Sequence, residues 1–307
     1  MLIQRFAEQC IICLDQSPFA EGNSWSTEHI IPKALGGILA CAFVCKTCNS
    51  KMGNGFERLA KADPSIRIAI RHLSAELPDL HASIEEGQDH TVKTAVGTIK
   101  GKYRKGEIQG GTRRLDDGSL LVAPQIAEKQ IRNILAGEGL DEIAIQEALE
   151  IHKHAEAGNK VDLSSKTSII LRAAEYGGPN LANGEILNPL VALKIAYEYA
   201  VLIAGLPILE PLPALQAVRR CLVEQTVSQE DFSCESLSAN DYMPFHGIAF
   251  EGNDPSASFQ IRLFGKLAYR IKFLKFAINT NPIIYTHNLK TGGEQIEESK
   301  PSHAAII

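Results

Sequence analysis

The fold of this chain is constrained most by two Cys-x-x-Cys pairs, Cys10 with Cys13 and Cys45 with Cys48. In a chain expected to remain in the cytoplasm, pairs with this spacing are typical of metal binding and not of disulfides. Four thiolates close a tetrahedral zinc site and leave no coordination position open. We therefore predict a structural Zn²⁺ ion held by these four cysteines in a compact module. Cys41 lies outside the pair spacing, and we expect it to pack in the core.

A histidine accompanied by oxygen-bearing side chains lies between and just after these pairs. Glu28 and His29 precede Ile-Ile-Pro and two glycines, and Asn49 directly follows the last cysteine. A neutral histidine can take a proton from water, and a hard divalent cation prefers carboxylate and amide oxygens. A base and a metal on a rigid frame are what phosphodiester hydrolysis requires. Without that frame, the Glu-His pair would instead favour a buried, hydrogen-bonded histidine.

The string from Cys10 to Asn49 and beyond resembles the HNH endonuclease family in its zinc-bearing ββα-metal form. It consists of Cys-x2-Cys, then Glu-His-Ile-Ile-Pro-x3-Gly-Gly, then Cys-x2-Cys-Asn-x3-Gly, within residues 10–60. The resemblance implies that His29 is the general base that activates water. It also implies that Glu28 and Asn49 bind a catalytic Mg²⁺ or Mn²⁺ ion, which neutralises the phosphate and stabilises the leaving 3′ oxygen.

The chain departs from the pattern of that family at two positions. The family more often has Asp before the histidine, and the extra methylene of Glu28 changes where the carboxylate oxygens reach. An asparagine that usually holds the loop of the catalytic histidine is replaced by Ala40. Neighbouring backbone groups are candidates to substitute for it. Neither change removes the base or the metal ligands.

The length and composition indicate an ordinary globular protein of two domains. The chain has 307 residues, of which 45% are hydrophobic and 22% charged, and a domain usually holds about 100–200 residues. We predict an HNH module at residues 1–62 and a larger domain at residues 63–307. The start has no apolar stretch of signal-peptide length. The most apolar segment, Leu190 to Leu206, contains Lys194 and Glu198 and is shorter than the roughly 20 residues of a bilayer span. We expect a cytoplasmic protein without a membrane partner.

The hydrophobic patterning predicts an α+β fold. Helices are predicted at 64–73, 123–135, 140–155, 190–206 and 214–225, and strands at 90–96, 97–103, 258–264, 267–276 and 283–289. The helix that Asn188 and Pro189 open is apolar on nearly all faces and should form the centre of the larger domain's core. The predicted fold is a small ββα-metal HNH module with a four-cysteine zinc site, followed by a larger mixed domain with a helical core and antiparallel strands.

Two hypotheses for the function follow. The first is a metal-dependent endonuclease that hydrolyses phosphodiester bonds of DNA, similar in architecture to bacterial restriction or anti-phage effectors. The second is a non-catalytic, zinc-dependent nucleic-acid-binding protein, against which the set of Glu28, His29 and Asn49 argues. DNA is the expected partner in the first hypothesis. The larger domain is expected to recognise the target, sense a signal, or form a homo-oligomer or a complex with a partner protein.

Two basic stretches outside the module are candidates for binding a phosphate backbone, although the formal net charge of the chain is −5. The first contains Lys100, Lys102, Arg104 and Lys105, with Arg113 and Arg114, and the second contains Arg262, Lys266, Arg270, Lys272 and Lys275. An ordinary strand with a charged outer face explains the second stretch equally well.

Overall fold

The computed structural model describes residues 9–14, 24–94, 97–104, 107–110, 112–122, 124–154, 159–171, 188–205, 213–226, 232–239, 241–253, 256–274 and 276–298. The contacts divide the chain into two compact units, Met1–Ile84 with Ala182–Ile307, and Glu85–Leu181. The predicted boundary after residue 62 lies inside the first unit. The separate roles of the two predicted domains stay a prediction.

A β-hairpin and a helix form the part of the first unit that carries the cysteine pairs. Strand β1 (Trp25–His29) pairs antiparallel with β2 (Ala40–Cys45), and helix α1 (Lys46–Met52) follows directly. A π-helical turn (Gly53–Glu57) and the short helix α2 (Arg58–Ala60) continue the helical run. The ββα order that the sequence predicts is confirmed.

The loop between β1 and β2 contains a 3₁₀ turn (Lys33–Leu35) and two glycines. Gly36 has a φ of 89°, in the left-handed region that residues with a side chain rarely adopt. A Cβ atom at Gly37 would lie 1.9 Å from the carbonyl oxygen of Ile31, so the close approach of the backbone requires glycine there. The two glycines therefore allow the chain to return tightly from β1 to β2.

Two further helices, α3 (Pro64–His72) and α4 (Pro78–Glu85), follow the hairpin and α2. Asp63 caps α3, because its carboxylate accepts a hydrogen bond of 2.9 Å from the amide of Ser65. Pro64 occupies the first helical position, where its missing N–H costs nothing. The helix that the sequence predicts at residues 64–73 is confirmed.

The second unit contains two small sheets and two helices. One sheet consists of β3 (Asp89–Thr94), β4 (Gly97–Arg104) and β5 (Glu107–Gly110), all antiparallel. The other consists of β6 (Arg113–Arg114), β7 (Leu120–Val122), β8 (Lys160–Asp162) and β9 (Ser168–Leu171), in the order β6–β7–β9–β8. Helices α5 (Pro124–Gly137) and α6 (Glu142–Lys153) share a core with this sheet. The parallel pairing of β7 with β9 was not predicted.

Helix α7 (Pro189–Ala204) is buried along most of its length and lies in the first unit, where α8 (Pro213–Glu224) follows it. Asn188 caps α7 by accepting a hydrogen bond of 3.0 Å from the amide of Leu190. Every residue from Leu190 to Val201 is buried. The prediction that this helix forms the centre of a core is confirmed, but the core is one that it shares with the hairpin.

An antiparallel sheet completes the first unit. Its strands are β10 (Phe232–Leu237), β11 (Phe245–Asn253), β12 (Ala257–Leu263), β13 (Leu267–Phe273), β14 (Ile283–Asn288) and β15 (Glu294–Glu298), in the order β10–β13–β12–β11–β14–β15. Strands β12, β13 and β14 correspond to the three predicted from the sequence. One hydrophobic core joins Phe43 of β2, Tyr197 of α7 and Phe259 of β12.

The α+β class predicted from the sequence is confirmed. Parts of the predicted elements, at residues 95–96, 123, 155, 206 and 275, lie outside the described residues, as does the start of the chain up to residue 8. Within the described ranges, none of the helices combines the length and the apolar content that crossing a membrane requires.

Candidate functional site

The side chains of Cys10, Cys13, Cys45 and Cys48 form one cluster. Their sulfur atoms all lie within 4.8 Å of one another, and those of Cys13 and Cys45 are 3.9 Å apart. Zinc–sulfur bonds of about 2.3 Å place two sulfurs of a tetrahedral site about 3.8 Å apart, so the cluster fits a structural zinc ion. Hydrogen bonds with Cys48 and with the amide of Cys45 lower the pKa of Cys10 to about 5, while the same contact with Cys10 raises the pKa of Cys48. As predicted, Cys41 packs in the core instead.

The cysteine cluster is connected to the rest of the module through the backbone. Cys45 ends β2, and Cys48 lies in α1 immediately before Asn49. A closed site of four thiolates offers no position to a substrate, but it fixes the segments that supply its ligands. The cluster therefore holds the start of α1, and with it Asn49, against the hairpin.

A cavity of about 390 Å³ brings together the three residues that the sequence analysis selected for catalysis. Glu28 and His29 reach it from the end of β1, and Asn49 reaches it from α1. The full lining consists of Thr27, Glu28, His29, Pro32, Lys33, Ala34, Asn49, Gly53, Asn54, Glu57, Arg58 and Lys61. A carboxylate, an imidazole and an amide therefore line one open cavity, while their catalytic roles stay predictions.

His29 is the last residue of β1 and lies opposite Ala40 of β2. Its half-buried imidazole lines the cavity. Desolvation lowers the pKa of His29, and the positive charges of Lys33 and Lys194 lower it further. Near pH 7 the ring is therefore neutral, which is the form that can accept a proton.

Asn49 connects α1 to β1 through its side-chain nitrogen. That nitrogen donates one hydrogen bond of 2.9 Å to Oγ of Ser26 and another of 3.3 Å to the carbonyl oxygen of Thr27. Because both bonds use the nitrogen, the amide oxygen is left for a ligand in the cavity. An amide oxygen is one of the ligands that hard divalent cations prefer.

The carboxylate of Glu28 contacts a lysine that the sequence analysis did not place in the site. Nζ of Lys194, in α7, lies 2.5 Å from Oε1 of Glu28, and both side chains are buried. The same Nζ lies 3.0 Å from a carboxylate oxygen of Glu57 and 3.0 Å from one of Glu198. Burial raises the pKa of Glu28, and the charge of Lys194 opposes that rise. One ammonium group therefore has three carboxyl groups around it.

The motif and the geometry of the module agree with a comparison against known protein families. Residues 10–63 match the family model of the HNH endonucleases. The match includes the cysteine cluster and every residue that lines the cavity, while residues 64–307 lie outside it. Searches of curated proteins and of solved structures gave no match.

Glu57 adds a second carboxylate to the cavity of the HNH module. It ends the π-helical turn that follows α1, and its side chain is 13% exposed. The carboxylates of Glu28 and Glu57 and the amide of Asn49 are oxygen-bearing groups of the kind that fit a hard divalent cation such as Mg²⁺ or Mn²⁺. The sequence motif did not identify Glu57, because it lies beyond the last residue that the motif constrains.

Three cations line the same cavity of the HNH module, Lys33 from the 3₁₀ turn and Arg58 and Lys61 from the end of the helical run. Lys33 and Arg58 are exposed, and Lys61 is half-buried. Cations beside an imidazole and a carboxylate suit a substrate with phosphate groups. These residues lie inside the HNH module, whereas the basic stretches that the sequence analysis singled out lie outside it.

Part of the second of those stretches is engaged within its own sheet. Arg270 donates two hydrogen bonds to the carboxylate of Glu251, at 2.9 and 3.1 Å. Nζ of Lys266 lies 4.7 Å from the centre of the Tyr242 ring. Lys105 of the first stretch and Lys275 of the second lie outside the described residues. For the second stretch, the interpretation as an ordinary strand with a charged outer face is therefore favoured.

Proposed function

We propose that the protein is a metal-dependent HNH endonuclease that hydrolyses phosphodiester bonds of DNA. The observation that carries this proposal is that Glu28, His29 and Asn49 line one cavity within the HNH module. The cysteine cluster supports it, because a structural zinc ion would supply the rigid frame on which such a site depends. A base, oxygen ligands for a metal and nearby cations are the parts that hydrolysis of a phosphodiester needs.

His29 is the proposed general base. Its neutral ring takes a proton from a water molecule that attacks the phosphorus atom, while the bond to the 3′ oxygen breaks. Glu28 and Asn49 are the proposed ligands of a Mg²⁺ or Mn²⁺ ion, with Glu57 on the same wall. When it is bound, such an ion supplies positive charge at the scissile phosphate. Glu28 and Asn49 are held in turn by Lys194 and Ser26.

DNA is the proposed substrate, and the backbone phosphates are the groups that the module would bind. Lys33, Arg58 and Lys61 provide the positive charge around the cavity. Contacts of this kind bind nucleic acid without reading its sequence. We therefore assign target recognition, signal sensing or assembly to the part of the chain beyond the module. A role in restriction or anti-phage defence stays a hypothesis that rests on architecture alone.

The alternative is a zinc-dependent nucleic-acid-binding protein without catalysis. The observation that favours it is the contact between Lys194 and Glu28, because the lysine occupies one oxygen of a proposed metal ligand. The neutral state of His29 argues against it, since a protein that only binds phosphates gains more from a charged histidine.

Metal dependence of cleavage separates the two functions. Purified protein is incubated with supercoiled plasmid without a divalent cation, with Mg²⁺ or Mn²⁺, with EDTA, and with EDTA followed by excess Mg²⁺. The zinc content of the protein is measured in parallel, because loss of structural zinc would also stop the reaction. We expect nicked or linear plasmid only where Mg²⁺ or Mn²⁺ is present. Retarded migration of intact plasmid under every condition would favour the alternative.

A further inference from the structure

The end of β1 that carries His29 is held by a side chain from outside the hairpin. Nζ of Lys194 lies 2.5 Å from the carbonyl oxygen of His29 and 3.4 Å from that of Ile30. It also lies 2.5 Å from Oε1 of Glu28. An ammonium group has three N–H donors, and these three acceptors belong to three consecutive residues. Lys194 therefore binds the end of β1 at His29, whose imidazole lines the cavity.

The two remaining carboxyl groups around the lysine interact with it through charge. Oε1 of Glu57 and Oε2 of Glu198 each lie 3.0 Å from Nζ. A fully buried lysine is rare unless it is paired, and hydrogen bonds that involve charged groups are the stronger ones. The arrangement orients the ammonium group towards β1.

Within the hairpin, the amide of Ile30 donates a backbone hydrogen bond of 3.0 Å to the carbonyl oxygen of Leu39, but the side chain opposite His29 adds none. The residue opposite His29 is Ala40, whose methyl group forms no hydrogen bond. A donor to the carbonyl oxygen of His29 comes instead from α7, 165 positions away in the chain.

We propose that Lys194 is a positioning residue for His29. From α7 it supplies hydrogen bonds that the methyl group of Ala40, opposite His29, is unable to form. The inference deepens the proposed function and rests on it. By binding the carbonyl groups of His29 and Ile30 and the carboxylate of Glu28, Lys194 fixes the backbone that directs the imidazole and the carboxylate into the cavity. Displacing a catalytic group by about 1 Å can lower a rate about 100-fold.

The test compares Lys194→Met with Glu198→Gln in the full-length, zinc-loaded protein. Methionine has a similar length but donates no hydrogen bond. Glu198 lies 3.0 Å from the same Nζ, and glutamine removes its negative charge but leaves Lys194 and its hydrogen bonds to residues 28–30 in place. Amide hydrogen exchange is followed in peptides that cover residues 29–39 and in peptides from the six-stranded sheet. Plasmid cleavage is measured at several DNA concentrations, so that kcat and KM are separated.

We expect Lys194→Met to speed exchange in residues 29–39 about tenfold or more, with the sheet unchanged, because the loop loses charge-assisted hydrogen bonds. We expect kcat to fall about 100-fold with KM within about twofold of wild type. Glu198→Gln should resemble wild type in both measurements. Wild-type exchange of residues 29–39 in Lys194→Met would overturn the inference, as would the same local change in Glu198→Gln. If wild type cuts no plasmid, the proposed function fails, while the exchange data still decide whether Lys194 holds the loop.

A second variant covers the case in which Lys194→Met loses zinc or unfolds. Lys194→Arg keeps the charge and the N–H donors in a bulkier side chain. If the hydrogen bonds matter, Lys194→Arg protects residues 29–39 nearly as well as wild type and retains most of the cleavage rate. If residues 29–39 exchange fast in Lys194→Arg while the sheet stays protected, a donor at this position does not hold the loop, and the inference is wrong.

Discussion

Nζ of Lys194 lies 2.5 Å from Oε1 of Glu28, although the two residues are 166 positions apart in the chain. The contact connects the buried helix α7 to the cavity of the HNH module. One helical turn further along the chain from Lys194, the hydroxyl of Tyr197 donates a hydrogen bond of 2.7 Å to the carbonyl oxygen of Ile11, next to the first cysteine pair. Helix α7 thus supports both the cavity and the zinc cluster. We infer that α7 is structurally part of the HNH module and does not merely follow it in the chain.

The first prediction concerns the structural zinc ion. We expect Cys48→Ser to abolish zinc binding and to lower Tm by more than about 10 °C, because binding of a structural zinc ion contributes directly to folding. Zinc content by mass spectrometry and thermal unfolding by circular dichroism measure the two effects. Cys221→Ser is the matched control, since this buried thiol in α8 lies outside the cluster. A Cys48→Ser protein that still carries one zinc ion per chain would contradict the assignment.

The second prediction concerns His246, which contacts the loop between β1 and β2 at Leu35. In β11, Nε2 of His246 donates a hydrogen bond of 2.9 Å to the carbonyl oxygen of Leu35, and Nδ1 accepts one of 3.3 Å from the amide of Phe264. Burial lowers the pKa of His246 to about 4. In the unfolded chain the pKa of a histidine is about 6.5, so between pH 6.5 and pH 4 the unfolded chain binds more protons than the folded protein does. The contribution of His246 to stability is therefore complete above pH 6.5 and falls as the pH is lowered towards 4.

The loss attributable to His246 amounts to about 3 kcal/mol across that interval. Denaturant unfolding of wild type and His246→Gln at steps between pH 7 and pH 4 measures it. We expect His246→Gln to be less stable at pH 7 but to lose less stability on acidification. His154→Ala, which removes an exposed histidine directly after α6, should keep the wild-type pH dependence. Parallel curves for wild type and His246→Gln would show that His246 does not contribute.

Much of the module could be predicted from the sequence, because the motifs that define it are short stretches of consecutive residues. The two Cys-x-x-Cys pairs predict a zinc cluster at any distance along the chain, and the structure brings their sulfurs together. Strands β12 and β13 were predicted with Gly265 and Lys266 near the turn between them, and both residues lie between these strands in the structure. The cap and the apolar length of α7 likewise predicted its burial.

The partners of the site could not be predicted, because they depend on contacts between distant segments. No spacing rule relates Lys194 to Glu28 or His246 to Leu35. The sequence did contain a signal, since Lys194 and Glu198 lie four residues apart in an otherwise apolar helix. A lysine that such a helix buries requires partners, and unmatched acidic residues elsewhere are the candidates. The parallel pairing of β7 with β9 depends on a similar long-range contact.

The third prediction concerns the cations around the cavity. We expect Arg58→Ala and Lys61→Ala each to weaken DNA binding for every sequence tested and to reduce the slope of log affinity against log salt by about 1. Fluorescence anisotropy of a labelled duplex, without a divalent cation and over a range of salt concentrations, measures both quantities. Lys129→Ala removes an exposed cation of α5 as a control and should leave the slope unchanged. Unchanged slopes for Arg58→Ala and Lys61→Ala would place the DNA elsewhere on the protein.

His29 is proposed to act as the base of an endonuclease, and nicking of supercoiled plasmid by wild type and His29→Ala in Mg²⁺ or Mn²⁺ tests this role most directly. His154→Ala serves as the histidine control, and zinc content and DNA affinity are confirmed for all three proteins. We predict that His29→Ala nicks at least about 100-fold more slowly than wild type, whereas His154→Ala nicks at the wild-type rate. Equal nicking by His29→Ala and wild type would contradict the account, because the cleavage would then come from another site.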